Sequence, residues 1–320
     1  MSATPLAYLT ASGPRAAHTA PLTWFTLIVS ILVCLIVILL VWVASGRSHG
    51  AGGAAETVAV PVERGADGFP WIKWGLILST APLAITLIWT MAVLAQVAGP
   101  PADAPLTIDV TGHQYWWQAT YDGATPGQHF STANEIHIPV DVPVRVQLHG
   151  ADVIHSFWVP QLAGKTDTIP GQNNVTWLQA DRAGRYRGQC TEYCGLQHAK
   201  MAFEVIAEPA DSFERWRLHQ QSKAPIPATP AERRGLFVFN RRCAACHTIQ
   251  GTSATGAIGP DLTHLKDRRL IAAGSLPNTT GAVAGWVQSP QTIKPGSTMP
   301  DQHLSGPELS AISAYLETLK

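Results

Sequence analysis

The sequence predicts a multidomain membrane protein: a two-helix transmembrane hairpin, an all-β sandwich and an all-α domain, in that order. Three observations predict it. Two long apolar runs fall within the first hundred residues. Between Leu106 and Ala207, short β-branched and apolar runs alternate with turn residues. After Pro230, helical patterning returns around a Cys-x-x-Cys-His motif.

The chain has 320 residues, enough for two or three domains. Charged residues make up 14% against 46% apolar, well below the roughly 25% charged of soluble domains, which points to a membrane portion. The formal net charge is zero, so no electrostatic pull toward nucleic acid follows. Pro21 to Ala44 carries no charge, and Trp71 to Val97 carries only Lys73 near its start. Each exceeds the about 20 apolar residues that span a bilayer. Trp24, Trp42, Trp71 and Trp74 sit near the ends, where interfacial aromatics belong. Core helices would be shorter. A cleaved signal peptide fits poorly too, because about twenty residues precede the first run and the loop-like Ser45-Gly46-Arg47 follows it. Cys34, inside that run, is expected to be a buried thiol acting as a small hydrophobe.

Residues 1–98 thus comprise a tail and the hairpin, with helices at about 21–44 and 71–97, joined by a Gly- and Ala-rich cytoplasmic loop. Gly99-Pro100-Pro101 ends the second helix. Residues 99–221 form the β domain, read from LTIDVTG, YWWQATYDG, EIHIPVDVPVRVQLHG, NVTWLQADRAG and MAFEVIAE, with a helix from Ala210 to Gln221 at its end. Residues 222–230 hold Pro225, Pro227 and Pro230 and read as a semi-rigid linker. Residues 231–320 are mostly helical; the last helix starts near Ser305 and sets Leu309, Ile312, Tyr315, Leu316 and Leu319 on one face. Arg15, Arg47 and Arg64 orient the chain only weakly. Because bacteria attach c-type haem outside the cytoplasm, both termini are expected in the periplasm and the chain in the inner membrane.

Two cysteine motifs carry the chemistry. The first is Cys190-Thr-Glu-Tyr-Cys194-Gly-Leu-Gln-His198-Ala-Lys-Met201. A Cys-x3-Cys pair alone fits a disulfide as well as a metal site. His198 and Met201 in the same loop, with His155 upstream, shift the balance to metal: thiolates favour Cu(I), and imidazoles tolerate both copper states. Two bridging thiolates can hold two copper ions that share an electron. Zinc is the rival metal, but methionine is a poor zinc ligand. Here the chain resembles subunit II of the haem-copper oxidases, over Gly112-His-Gln-Tyr-Trp-Trp117, Asp152 to Pro160, Gly164 to Gly171, Gly188 to Met201 and the hairpin ahead of them. The resemblance implies a cupredoxin-like Greek-key sandwich and a binuclear copper A centre. Its ligands would be His155, Cys190, Cys194, His198, Met201 and the backbone carbonyl of Glu192, whose carboxylate would bind magnesium at the border with subunit I. It also implies an electron-transfer role for Tyr115, Trp116 and Trp117. Two departures stand out. Tyr115 replaces the family's usual Trp, the entry point for electrons from soluble cytochrome c. Asp67 stands near the place where many relatives have a proton-channel Glu.

The second motif is Cys243-Ala-Ala-Cys246-His247, the covalent attachment sequence of a c-type haem. A zinc site would need a second ligand pair. Helical residues lead into it, Gly259-Pro260-Asp261-Leu262 follows, and Lys294-Pro-Gly-Ser-Thr-Met299-Pro300 precedes the last helix. These resemble a class I cytochrome c. Thioethers would form at Cys243 and Cys246, with His247 and Met299 axial; such ligation raises the potential. His264 and His303 are rival sixth ligands, and Arg268 or Arg269 would face a propionate. His113, His129, His137, His149 and His219 stand outside any cluster and are not assigned as ligands.

The fusion resembles the caa3-type cytochrome c oxidases. It implies an electron-input subunit that takes electrons at haem c from a cytochrome c or a membrane bc-type complex and passes them to copper A. From there they reach the haems and copper B of subunit I, with subunit III as a further partner. Oxygen becomes water there with proton pumping. A copper A nitric oxide reductase shares these sites, and a non-catalytic periplasmic electron carrier is a third reading.

Overall fold

A computed structural model describes residues 6–48, 69–101, 104–123 and 128–320. Asp67 and most of the Gly- and Ala-rich loop lie outside the described residues. Two compact units result: residues 17–98, and residues 1–16 with 99–320.

The first unit is built on two helices, α1 (Pro14–Ser48) and α2 (Phe69–Val97). Both start earlier than the apolar runs suggest, and Pro21 lies inside α1 instead of starting it. Apolar segments tolerate this because neighbouring groups can satisfy the freed carbonyl. The hydroxyls of Thr26, Ser30 and Thr86 donate to carbonyls one turn back at 2.8–3.0 Å, so their polar atoms are satisfied within the helix. The Leu, Ile and Val side chains are largely exposed, which a hydrocarbon environment favours and water does not. Cys34 is exposed too, so it is not the buried thiol the sequence suggests; it belongs to this apolar surface.

Among the described residues, the β domain has ten strands in two sheets. The strands are β1 (Leu106–His113), β2 (Trp116–Tyr121), β3 (Phe130–Ala133), β4 (Glu135–Pro139), β5 (Val144–Gly150), β6 (His155–Trp158), β7 (Thr166–Thr168), β8 (Asn174–Leu178), β9 (Gly184–Cys190) and β10 (Ala202–Glu208). One sheet runs β3-β2-β1-β5-β8 and the other β4-β10-β9-β6-β7. Two parallel pairings, β1 with β5 and β4 with β10, join strands that are not consecutive and so depart from simple hairpins. Ile108, Val146, Leu148, Trp117, Phe157 and Phe203 fill the space between the sheets. Each fully buried side chain of this size stabilises by about 1.5–3 kcal/mol. The core brings β6 and β9 together, with Phe157 opposite Cys190, and so places His155 near the cysteine loop.

After α3 (Ala210–Gln220) and the linker, α4 (Pro230–Arg242) begins on a capping box between Thr229 and Glu232, with Pro230 at its first turn. Helices α5 (Thr280–Gln288) and α6 (Pro290–Ile293) follow. A second capping box, Ser305 with Glu308, opens α7 (Gly306–Leu316). Helices α4 and α7 cross at Gly235, where a Cβ would lie 2.2 Å from the Ala311 carbonyl oxygen. Leu319 lies past the end of α7 but is fully buried, so the apolar face continues beyond the helix.

Candidate functional site

Strand β9 delivers Cys190 to the rim of the sandwich, and β10 leaves it at Ala202. The loop between them is closed at its base by Cys190 N donating to Met201 O at 3.0 Å. Gly195 has φ 125°, and a Cβ there would meet the Tyr115 hydroxyl at 2.6 Å, so the turn needs glycine. Within this frame the two sulfurs of Cys190 and Cys194 are 3.9 Å apart, far beyond the ~2.05 Å of a disulfide. His155 Nδ1 lies 4.0 Å from the Cys190 sulfur, His198 Nδ1 3.7 Å and Met201 Sδ 3.8 Å from the Cys194 sulfur. Metal–thiolate bonds of about 2.3 Å let one ion touch two donors at this spacing. The Glu192 carbonyl lies 3.3 Å from the Cys190 sulfur, while its carboxylate points out toward Lys165 at 3.8 Å. Cys190, Cys194, Met201 and His155 are buried, so the soft donors are shielded from water. The donor set fits copper.

Asp152 orients this site, a role the sequence reading did not give it. Its carboxylate accepts from His155 Nε2 at 2.8 Å, which leaves Nδ1 facing the sulfurs. Burial alone would raise the pKa of Asp152. The His155 bond and the backbone donors Gln114 and Val153 outweigh burial and hold it below the usual carboxylate range. Gln114 Nε2 also donates to the Cys194 carbonyl at 2.6 Å. The two thiols are strongly coupled. The Cys194 group stabilises the Cys190 thiolate, with Cys190 pushed below the ordinary thiol range and Cys194 above it.

The second site is an apolar cleft with about 1290 Å³ of empty space, counting its open mouth. Cys243, Cys246, His247 and Met299 all line it. His247 Nδ1 donates to the Pro260 carbonyl at 2.8 Å, which fixes the ring and leaves Nε2 free to bind a metal. Gly259 permits this close approach: a Cβ there would sit 2.6 Å from the His247 ring. Burial lowers the pKa of His247, so the neutral, ligating form is favoured. These residues fit a haem. His264 and His303 are not among the lining residues. Of the two arginines, Arg268 lines the cleft and donates to the Asp261 carbonyl, whereas Arg269 turns away to Glu204.

Tyr115 and Trp116 line this same cleft, although they belong to the β domain. Leu196 N, in the cysteine loop, donates to the Tyr115 hydroxyl at 3.1 Å. Trp116 stacks on His113 with ring centroids 4.4 Å apart. Trp117 points the other way, as strand alternation requires, and its ring meets His155 edge-on at 5.9 Å in the core. Lys294, 2% exposed, donates to the carbonyls of Tyr115, Lys200 and Ala272 at 2.9–3.3 Å. Burial and the Lys200 charge push its pKa down to about 7, a measure of what holding a cation there costs. Gln197 Nε2 donates to the Pro295 carbonyl, and Arg269 bonds Glu204 and Glu135 across the same interface. The helical domain is therefore docked on the cysteine loop.

Comparison with known proteins agrees with this architecture. A family described as "Cytochrome C oxidase subunit II, periplasmic domain" matches residues 125–208, and the cytochrome c family matches residues 233–320. The cytochrome c oxidase subunit 2 of Alkalihalophilus pseudofirmus is 33% identical over 98% of this chain and 91% of its own length. That of Bacillus sp. strain PS3 is 30% identical over 77% of this chain and 71% of its own length. The crystal structure of the periplasmic domain of cytochrome oxidase subunit II from Bradyrhizobium japonicum is 34% identical. It covers 37% of this chain and 95% of its own, with a TM-score of 0.35.

Proposed function

The chain belongs to the cytochrome c oxidase subunit II family and carries a cytochrome c domain at its C-terminus, and on that premise we propose that it is the electron-input subunit of a caa3-type oxidase. The family implies copper A, haem and a subunit I partner. In this reading His155, Cys190, Cys194, His198, Met201 and the Glu192 carbonyl hold copper A, and the outward Glu192 carboxylate reaches a magnesium ion at the subunit I border. Cys243 and Cys246 would hold haem covalently, with His247 and Met299 as the side chains available to its iron. A haem held at His247 and Met299 would supply one-electron chemistry, and a copper pair held by the two bridging thiolates would accept one electron at a time.

The chain's own residues hold, orient and shield these groups. Asp152 fixes the His155 imidazole and the Pro260 carbonyl that of His247; Tyr115 bridges the haem cleft and the cysteine loop, and Trp116 lines the cleft. The observation that carries the reading is Tyr115, which lines the haem cleft while its hydroxyl holds the cysteine loop at Leu196. The donor is a cytochrome c or a membrane bc-type complex. Electrons leave to subunit I, where oxygen becomes water and protons are pumped; subunit III completes the assembly. Both termini lie in the periplasm, with the two helices in the inner membrane.

Removal of residues 230–320 tests the reading. Oxidation of the natural donor should then slow, while an artificial reductant still reduces copper. Unchanged turnover with the natural donor contradicts it.

A further inference from the structure

A third cluster of metal-binding side chains lies apart from both redox sites. His219 sits in the last turn of α3. His264 and Asp267 flank the short helical turn Leu265–Asp267 of the cytochrome domain, on the far side of the linker. None of the three lines the haem cleft or belongs to the copper donor set.

His219 Nε2 is 2.9 Å from Asp267 Oδ2, and His264 Nδ1 is 3.9 Å from that same oxygen. The two imidazole centroids are 4.6 Å apart. One donor atom from each residue lies within 4.8 Å of the others. A tetrahedral ion with bonds of about 2.0–2.2 Å sets its ligand atoms about 3.3–3.6 Å apart, so small side-chain rotations bring all three onto one ion.

His264 gives the cluster its direction. It is 4% exposed, and its Nε2 donates to the Ser222 carbonyl at 3.2 Å. That bond assigns the tautomer and leaves an acceptor lone pair on Nδ1. Nδ1 has no hydrogen-bond partner. A buried, unpaired acceptor is destabilising, and a metal bond would remove that cost. His219 and Asp267 have exposed side chains, which gives an ion a path in and water the remaining position.

We propose that His219, His264 and Asp267 bind one divalent transition-metal ion of the zinc class. Two imidazoles and a carboxylate suit zinc and disfavour the harder calcium or magnesium. The ion would tie α3 to the cytochrome domain across the linker and hold the two domains in their docked arrangement.

The test is equilibrium dialysis of the intact, haem- and copper-loaded protein against Zn²⁺, with metals counted by mass spectrometry. Wild type should retain one more zinc per chain than His264→Ala and than His219→Gln, at equal haem and copper content. His219 is exposed, so His219→Gln keeps the test decisive if His264→Ala fails to fold. Zinc should also raise the unfolding temperature of the haem domain in wild type and not in His219→Gln. Equal zinc uptake, or an equal thermal shift, in wild type and His219→Gln would overturn the site.

Discussion

Asp152 shows what a single residue contributes that a motif does not announce. The five candidate side-chain donors are named from the family resemblance and from the soft donor types that copper favours. Asp152 could not be named this way, because its role rests on which nitrogen of His155 it takes. Carboxylates that orient a ligating histidine are worth about 10–100-fold in metal affinity. Asp152→Asn is therefore expected to lower copper retention by about that factor, read as copper left after dialysis against a chelator. Wild-type retention would show that the carboxylate does not orient the ligand. Tyr115 is the reverse case: the sequence marked it as a departure from the family's Trp, one that fits a chain with its own donor haem, and the structure adds a reason in the cysteine loop. The Leu196 amide needs an acceptor, and a phenol hydroxyl accepts where an indole N–H can only donate.

Among the elements, strands with alternating apolar residues were legible, and β9 was not. Its inward positions are Tyr186, Gly188 and Cys190, and Gly188 breaks the pattern because the Phe203 ring occupies the place of a Cβ, 2.1 Å away. Strands β6 and β7 are too short for periodicity to show. Ser305 reads as a helix start from sequence; Thr229 was missed, although it carries the same signal, a Glu three residues on. The α4–α7 crossing depends on Gly235 in the same way that β9 depends on Gly188. Gly235→Ala gains about 1 kcal/mol of helix propensity, but its methyl would overlap the Ala311 backbone and Tyr315. Overpacking of that kind costs about 1–3 kcal/mol, more where backbone must move. A lower unfolding midpoint of the haem domain is expected, and a midpoint at or above wild type would contradict the close crossing.

At the scale of the whole molecule, the linker prolines suggested a tether, which raises the local concentration of one domain near another. The structure goes further and docks the cytochrome domain through Lys294, Arg269 and Gln197. No sequence pattern announces this interface, because Lys294 and Gln197 bond backbone carbonyls and the carboxylates that hold Arg269, Glu204 and Glu135, lie far away in the chain. A hydrogen bond from a charged group contributes about 1.5–3 kcal/mol. Lys294→Met removes three such bonds but also the cost of burying the cation, so docking should weaken by about 10- to 100-fold and copper reduction should slow, with haem and copper content unchanged. An unchanged rate would mean that docking is not what positions the haem domain. The central claim is that electrons enter through this chain's own haem. Rapid mixing of the intact, oxidised oxidase with its reduced donor, followed at the haem c and copper absorbances, tests it most directly. Haem c reduction should precede copper reduction, whose rise should match the decay of reduced haem c. Copper reduction that precedes haem c, or proceeds without it, would contradict the account.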